Sequence, residues 1–374
     1  MAQSAASAPA PMPRQDSLRQ EPDSRKPPSR RSNGRHTYGA VDLGTNNCRL
    51  LIARPVDGGF TVVDAFSRIV RLGEGLSRTG KLSQDAMDRA VGALAVCADK
   101  LRRRSVSLTR SVATEACRRA ENGREFVDRV RGETGILLDV IDPQEEARLA
   151  VLGCHKLLEP GDGPALIFDI GGGSTELVLV DQQDGVPRIR SWWSAPWGVV
   201  SLTESEGRAA LEGPDRLQAY SRMRERARRA FAKFASTLPS DVEGIRLLGT
   251  SGTVTTLASV HLALPAYDRR AVDGLHVPVD AMQQISAMIA GMEHSERAAL
   301  PCIGRDRADL VVAGCAILEA IVEIWPAEKL GIADRGIREG ILRALMARDG
   351  YQLRSASERP GDARPPRHAG WNVN

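Results

Sequence analysis

The chain has 374 residues, enough for two medium-sized domains, and its 42% apolar and 26% charged residues are the balance of an ordinary globular protein. Aromatic residues make up only 4%, a poor basis for recognising ligands by stacking on bases. The net charge of +4 sits at the ends: residues 1–36 hold seven Arg or Lys against three acids, residues 351–374 hold four Arg against two acids, and the body between them carries −2, so the overall basicity is no sign of a specific nucleic-acid surface.

Six scattered cysteines form no C-x-x-C pair, and the six histidines do not cluster. This argues against a disulfide framework, a zinc site or a histidine-based metal centre. No apolar run approaches membrane-spanning length, and the N-terminus has no secretory apolar core. A cytoplasmic protein with no membrane partner is expected.

Residues 1–36 are rich in Ser, Pro and Arg and poor in large apolar side chains, so they read as a disordered tail, as do 351–374. The body opens with a strand, Tyr38–Asp42, a glycine turn, a second strand, Cys48–Pro55, and a third near Phe60–Phe66. Ser83–Arg104 reads as a helix capped by Ser83, with Met87, Val91, Leu94, Ala98 and Leu101 at helical spacing. A strand at Ser107–Thr114, a helix at Arg124–Glu133, a strand at Leu137–Ile141 and a helix at Pro143–Leu158 follow. After a boundary at Gly161–Pro164 the pattern restarts: strand Ala165–Ile170, glycine turn, strand Thr175–Asp181. Two copies of apolar strand, Asp, glycine turn, Ser or Thr, strand predict an internal repeat and two related α/β domains, 37–163 and 164–350, with packing of the closing helix back on the first as the alternative for that helix. Further on, helices are expected at Leu211–Leu238, Val254–Leu262, Asp280–Met292, Arg307–Trp325 and Ile337–Arg348, with strands at Leu247–Gly249 and Leu330–Ala333.

Three loops carry the chemistry. Asp42-Leu43-Gly44-Thr45-Asn46 ends a buried strand; Gly44 lets the backbone approach a ligand, Thr45 and Asn46 add polar groups, and Asp42 suits Mg²⁺ or its water shell. Taken singly it also fits a structural turn. Asp169-Ile170-Gly171-Gly172-Gly173-Ser174-Thr175-Glu176 places three glycines between apolar strands, more than a plain hairpin needs, and fits an anion cradle of bare N–H groups. Thr250-Ser251-Gly252 stands between a strand and a helix, where a helix N-terminus favours anions and a simple helix cap is the plainer reading.

In this order the three loops resemble the two phosphate motifs and the adenosine motif of the actin, sugar-kinase and heat-shock-chaperone superfamily, which implies two RNase H-like domains around a central cleft. Val112-Ala113-Thr114-Glu115-Ala116-Cys117-Arg118-Arg119, Ile141-Asp142-Pro143-Gln144-Glu145-Glu146-Ala147-Arg148, Val70-Arg71-Leu72-Gly73-Glu74-Gly75 and Asp334-Arg335-Gly336-Ile337-Arg338-Glu339-Gly340 narrow the likeness. From about Tyr38 to Met346 the chain resembles the exopolyphosphatase and guanosine pentaphosphate phosphohydrolase (Ppx/GppA) family. The resemblance implies Glu146 as catalytic base, Arg118 as a phosphate contact, and Asp42, Asp169 and Glu176 as the acids that organise metal and water. It implies phosphate binding by Gly44, Thr45, Asn46, Gly171, Gly172, Gly173 and Ser174, with Thr250, Ser251 and Gly252 in the third loop.

The expected activity is Mg²⁺-assisted release of terminal orthophosphate from inorganic polyphosphate, with Mn²⁺ as the alternative ion. Conversion of pppGpp to ppGpp is the alternative reaction, using the same residues. An ATP-dependent kinase of the same superfamily and a non-catalytic polyphosphate or ppGpp sensor are the remaining readings; the intact acids oppose the sensor. The family implies a homodimer as a plausible assembly. Its longer members add a helical C-terminal region, so the short form is expected to prefer shorter polyphosphates. Two basic features, Arg222, Arg226, Arg229 and Lys233 on one helix face and Arg102-Arg103-Arg104 at a helix end, read as a solvated face and a dipole-complementing terminus.

Overall fold

A computed structural model describes residues 36–159, 161, 163–183, 186–238 and 244–351. Apart from His36 and Tyr351, the two expected tails lie outside the described residues. The chain folds around two sheets. The first begins with an antiparallel meander, β1 (Tyr38–Leu43), β2 (Asn47–Val56) and β3 (Gly59–Ile69), followed by α1 (Leu76–Thr79) and α2 (Gln84–Arg103). Next come β4 (Leu108–Ala113), α3 (Glu115–Arg119), α4 (Gly123–Thr134), β5 (Leu138–Val140) and α5 (Pro143–Cys154), whose end tightens into a 3₁₀ turn at His155–Leu157.

The second half repeats the meander with β6 (Ala165–Ile170), β7 (Thr175–Gln183) and β8 (Val186–Ala195). Then come α6 (Val199–Glu206), α7 (Arg208–Glu212), α8 (Arg216–Ala235), β9 (Arg246–Thr250), α9 (Gly252–His261), α10 (Arg269–Val272) and β10 (His276–Pro278). The chain closes with α11 (Val279–Gly291), α12 (His294–Ala299), α13 (Val311–Ile324), β11 (Lys329–Ala333) and α14 (Ile337–Arg348).

The sheet orders are β3-β2-β1-β4-β5 and β10-β11-β9-β6-β7-β8. Read from β8, the second sheet reproduces the first: an antiparallel meander, then parallel additions, with β10 as an extra antiparallel edge. The internal repeat read from the two glycine turns is therefore a repeat of topology.

Period-two alternation decides where the acids point. In β1, Val41 and Leu43 pack with α2, whereas Tyr38 and Ala40 pack with Leu149, Ile341 and Leu345 of α5 and α14. Asp42 is next on that second face. In β6, Leu166 and Phe168 join the core of the second half, whereas Ala165 and Ile167 pack with Ala147 and Val151 of α5. Asp169 continues that face. Both aspartates thus project to the side occupied by α5 and α14. These two helices touch through glycines: a Cβ on Gly153 would overlap the Gly336 carbonyl, and one on Gly340 would overlap the Leu149 carbonyl.

Several expected elements change. The expected helix Leu211–Leu238 breaks at Gly213-Pro214 into α7 and α8, because proline cannot continue a helical ladder. The helix expected from Arg307 begins only at Val311, leaving Arg307 in the preceding turn. The strands β8 and β10 and the helices α1, α3, α6, α10 and α12 are not among the expected elements. The basic stripe on α8 is largely neutralised: Arg222 and Arg226 both pair with Glu206, and Arg229 with Glu225. At the end of α2, Arg102 and Arg103 pair with Asp99, and Arg104 with Asp64.

Candidate active site

The Thr45–Asn46 turn and the triple-glycine turn are the tips of the two hairpins, and they lie against each other. Gly44 closes the first turn by donating its N–H to Asn47 O at 2.9 Å, and Gly171 closes the second onto Ser174 O at 3.0 Å. A Cβ on Gly172 would sit 2.9 Å from Thr45 Cβ and 3.1 Å from Asn46 N, and one on Gly173 2.9 Å from Thr45 Oγ1. The carbonyls of Gly171 and Gly172 accept the first amides of α6, from Val199 at 3.0 Å and Val200 at 2.7 Å. Glycine is required here by close approach of two loops and a helix, as well as by any anion. Among the described residues, the N–H groups of Gly172 and Gly173 have no protein acceptor. They are free to serve a phosphate oxygen.

The third loop adds strain. Ser251 has φ 103° and ψ 174°, a region that side chains rarely enter. Its hydroxyl accepts Thr253 N at 3.3 Å, and Thr250 Oγ1 donates to Arg335 O at 2.7 Å, tying this loop to the start of α14.

Asp42, Glu146, Asp169 and Glu176 line one cavity of about 150 Å³, together with all three loops. The N-terminus of α5 sets Glu146. Asp142 caps it by accepting Glu145 N at 2.8 Å, and Pro143 takes the first helical position, where no N–H is needed. Adjacent residues on a helix diverge by about 100°. Glu145 therefore turns outward to Arg110 (2.7 Å) and Arg148 (2.6 Å), while Glu146 is buried in the cleft.

Burial raises all four cleft carboxyls, because a charge removed from water is disfavoured. The Glu176 charge pushes Glu146 further up, and Arg118 opposes it. Asp169 is pushed up to about 6 by burial, with Arg49 opposing and Asp42 adding. Glu176 rises to about 7 through burial and the Asp169 charge, although Ser174 and Ser194 both donate to its Oε1, at 2.7 and 2.9 Å.

Arg118, for which the resemblance implies a phosphate contact, is bonded here to protein groups. Its Nη1 donates to Ile141 O at 2.6 Å, its Nη2 to Glu115 at 2.7 Å, and both reach Glu146 Oε2 at 3.2 Å. It is not among the residues that line the cavity, and it holds Glu146, which is. The cations that line the cavity are Arg49, Arg307, Arg335 and Arg338. Sequence reasoning gave none of these a role in binding phosphate. Arg49 had a usable signal, an arginine in an apolar strand directly opposite Asp42 across the hairpin.

Since Arg118 favours ionised Glu146, Arg118→Met is expected to raise the Glu146 pKa. The acidic limb of kcat/KM should then move to higher pH. A pH–rate profile checks this, and a limb that stays in place contradicts it.

Among the described residues, no three His, Cys, Asp or Glu side chains close into a metal cage. The donor chemistry nonetheless fits a hard divalent cation. The cleft's possible metal donors are oxygens, from carboxylates, hydroxyls and carbonyls, and burial, with carboxylate neighbours adding for Glu146, Asp169 and Glu176, pushes its carboxyls up in a way a bound cation would relieve. Mg²⁺ in particular is held by one or two carboxylates with water and substrate phosphate. Asp42 and Asp169 are placed to do this from the two hairpins.

The sequence and fold have known counterparts. The description "Ppx/GppA phosphatase family" matches residues 51–349. The chain belongs to the Ppx/GppA phosphatase family. It is 32% identical over 319 residues to Exopolyphosphatase 2 of Mycobacterium tuberculosis, covering 82% of this chain and 97% of that one. It is 27% identical over 315 residues to a guanosine-5'-triphosphate,3'-diphosphate pyrophosphatase of Aliivibrio fischeri, covering 83% of this chain and 59% of that protein. The crystal structure of the Aquifex aeolicus Ppx/GppA family member superposes with a TM-score of 0.69 at 28% identity, covering 85% of this chain and 99% of that one. The two-sheet architecture is the actin-like fold of the Ppx/GppA family, whose members are phosphoanhydride hydrolases that use divalent metal.

Proposed function

We propose that this Ppx/GppA protein is an exopolyphosphatase, releasing terminal orthophosphate from inorganic polyphosphate with Glu146 as general base. The observation that carries the reading is Glu146, buried in the cleft beside two hairpin loops and held by Arg118. A carboxylate placed beside a phosphate cradle can orient and deprotonate a water for in-line attack.

Glu146 takes a proton from the attacking water as the new P–O bond forms and the bond to the departing chain breaks. The amides of Gly172 and Gly173, with Arg49 and Arg338, neutralise the phosphoryl oxygens and orient the end group. Asp42 and Asp169 would hold Mg²⁺, which supplies charge neutralisation on the phosphoanhydride. Arg118 keeps Glu146 in place and favours its ionised form.

Polyphosphate is favoured over a guanosine pentaphosphate by the lining. Among the described residues, no aromatic side chain lines the cavity, and its cations are arginines suited to phosphate. Likeness along nearly the whole of a relative named exopolyphosphatase supports the same reading. The second reading, pppGpp hydrolysis, draws on the relative named for it. A cytoplasmic setting suits six free, buried cysteines.

Phosphate release with Mg²⁺, measured in parallel on short polyphosphate, long polyphosphate, pppGpp and ATP, separates these readings. Polyphosphate is expected to be turned over fastest. Preference for pppGpp would move the protein to the second reading with the same residues in the same roles.

A further inference from the structure

The segment Val70–Gly75 joins β3 to α1 and sits directly behind the first phosphate loop. The amides of Val70 and Arg71 both donate to Asn46 O, at 2.8 and 3.0 Å, and Gly73 N donates to Thr45 O at 2.9 Å. Any side chain at Gly73 would strike the Thr45 methyl group. Arg89 of α2 fastens the segment from its far side, donating to Val70 O at 2.9 Å, to Arg71 O at 3.3 Å and to the Glu74 carboxylate at 3.1 Å.

The same segment reaches the second half of the molecule. Gly75 N donates to Glu204 Oε1 of α6 at 2.7 Å. The Arg71 guanidinium lies 3.6 Å from the Asp309 carboxylate and 3.5 Å from Asp306 O. Asp306 and Asp309 flank Arg307, which lines the cavity and donates to Thr256 Oγ1 at 2.8 Å. Arg71 adopts φ 48°, a left-handed conformation unfavourable for a residue with a Cβ. The turn it makes carries its side chain out of the first half and onto the second.

We infer that Arg71 is a positioning residue: its charge contact with Asp309 ties the turn bearing Arg307 to the backbone that holds the Thr45–Asn46 phosphate loop. The loop and the facing Arg307 thereby reach their working separation together. The inference rests on the phosphate-releasing reading of the cleft. A strut that served only folding would alter melting temperature and leave the kinetics of the folded enzyme alone.

The test uses full-length Arg71→Ala, the near-isosteric Asp309→Asn, and the charge exchange Arg71→Asp with Asp309→Arg. Phosphate release from tripolyphosphate with Mg²⁺ is measured as kcat and KM, with melting temperatures alongside. Each single variant is expected to lose about three- to thirtyfold in kcat/KM, in line with coupling through a contact network. The loss should fall mainly on KM, and the exchange should recover most of it. Unchanged kcat/KM in both single variants, or losses that the exchange does not recover, would overturn the inference while wild-type activity stands. Wild-type protein that releases no phosphate would overturn the underlying reading as well.

Discussion

Glu146→Gln is expected to lower turnover by about 10²–10⁴-fold, the usual contribution of a general base. The substitution keeps the size of the side chain and removes only the basic oxygen. Arg118 can still donate to the amide oxygen, so the local packing among Glu115, Ile141 and α5 survives. Loss should therefore appear in kcat, while affinity for substrate stays close to wild type. Affinity should if anything improve, because a negative charge beside the incoming phosphate is removed. Steady-state kinetics with a separate equilibrium binding measurement checks both parts. Undiminished kcat removes Glu146 as the base and leaves Glu176, pushed up to about 7 in the same cavity, as the next carboxyl to test.

Gly340→Ala carries the largest expected effect on stability. On an isolated helix, alanine for glycine stabilises by roughly 1 kcal/mol. Here the sign is reversed, because the added Cβ would overlap the Leu149 carbonyl where α14 crosses α5. Neither partner is the end of a flexible side chain, so the two helices must separate, and overpacking of this kind costs about 1–3 kcal/mol. The consequence extends to chemistry: α5 carries Glu146 at its N-terminal end and α14 carries Arg338. Denaturant unfolding should show the loss, and kcat/KM should fall with it. A more stable variant would mean that the crossing is looser than described.

Much of this was legible in the residues because it rests on local rules. Asp142 and Pro143 announce the start of α5, and helical phase then separates Glu145 from Glu146. The two Asp-glycine hairpins announced two related units. A third strand after the first hairpin implies one after the second, and β8 is that strand; it carries Ser194, which donates to Glu176. Other features depend on long-range packing. Arg118 stands 28 positions before Glu146, and only the fold shows that its guanidinium reaches that carboxylate. Arg338 lay within a recognised motif, but its approach to Asp42 and Asp169 follows from how α14 returns across β1. From the sequence the triple glycine fits an anion cradle. Its tight seating against Thr45 and against α6 belongs to packing that no local pattern encodes.

The most direct test of the account is hydrolysis of tripolyphosphate in ¹⁸O-labelled water, with the isotope followed by mass spectrometry. Attack by a Glu146-activated water on the terminal phosphorus predicts one labelled oxygen in each released orthophosphate and none in the pyrophosphate left behind. Label in the pyrophosphate instead, or orthophosphate released without label, would contradict direct attack of water at the chain end.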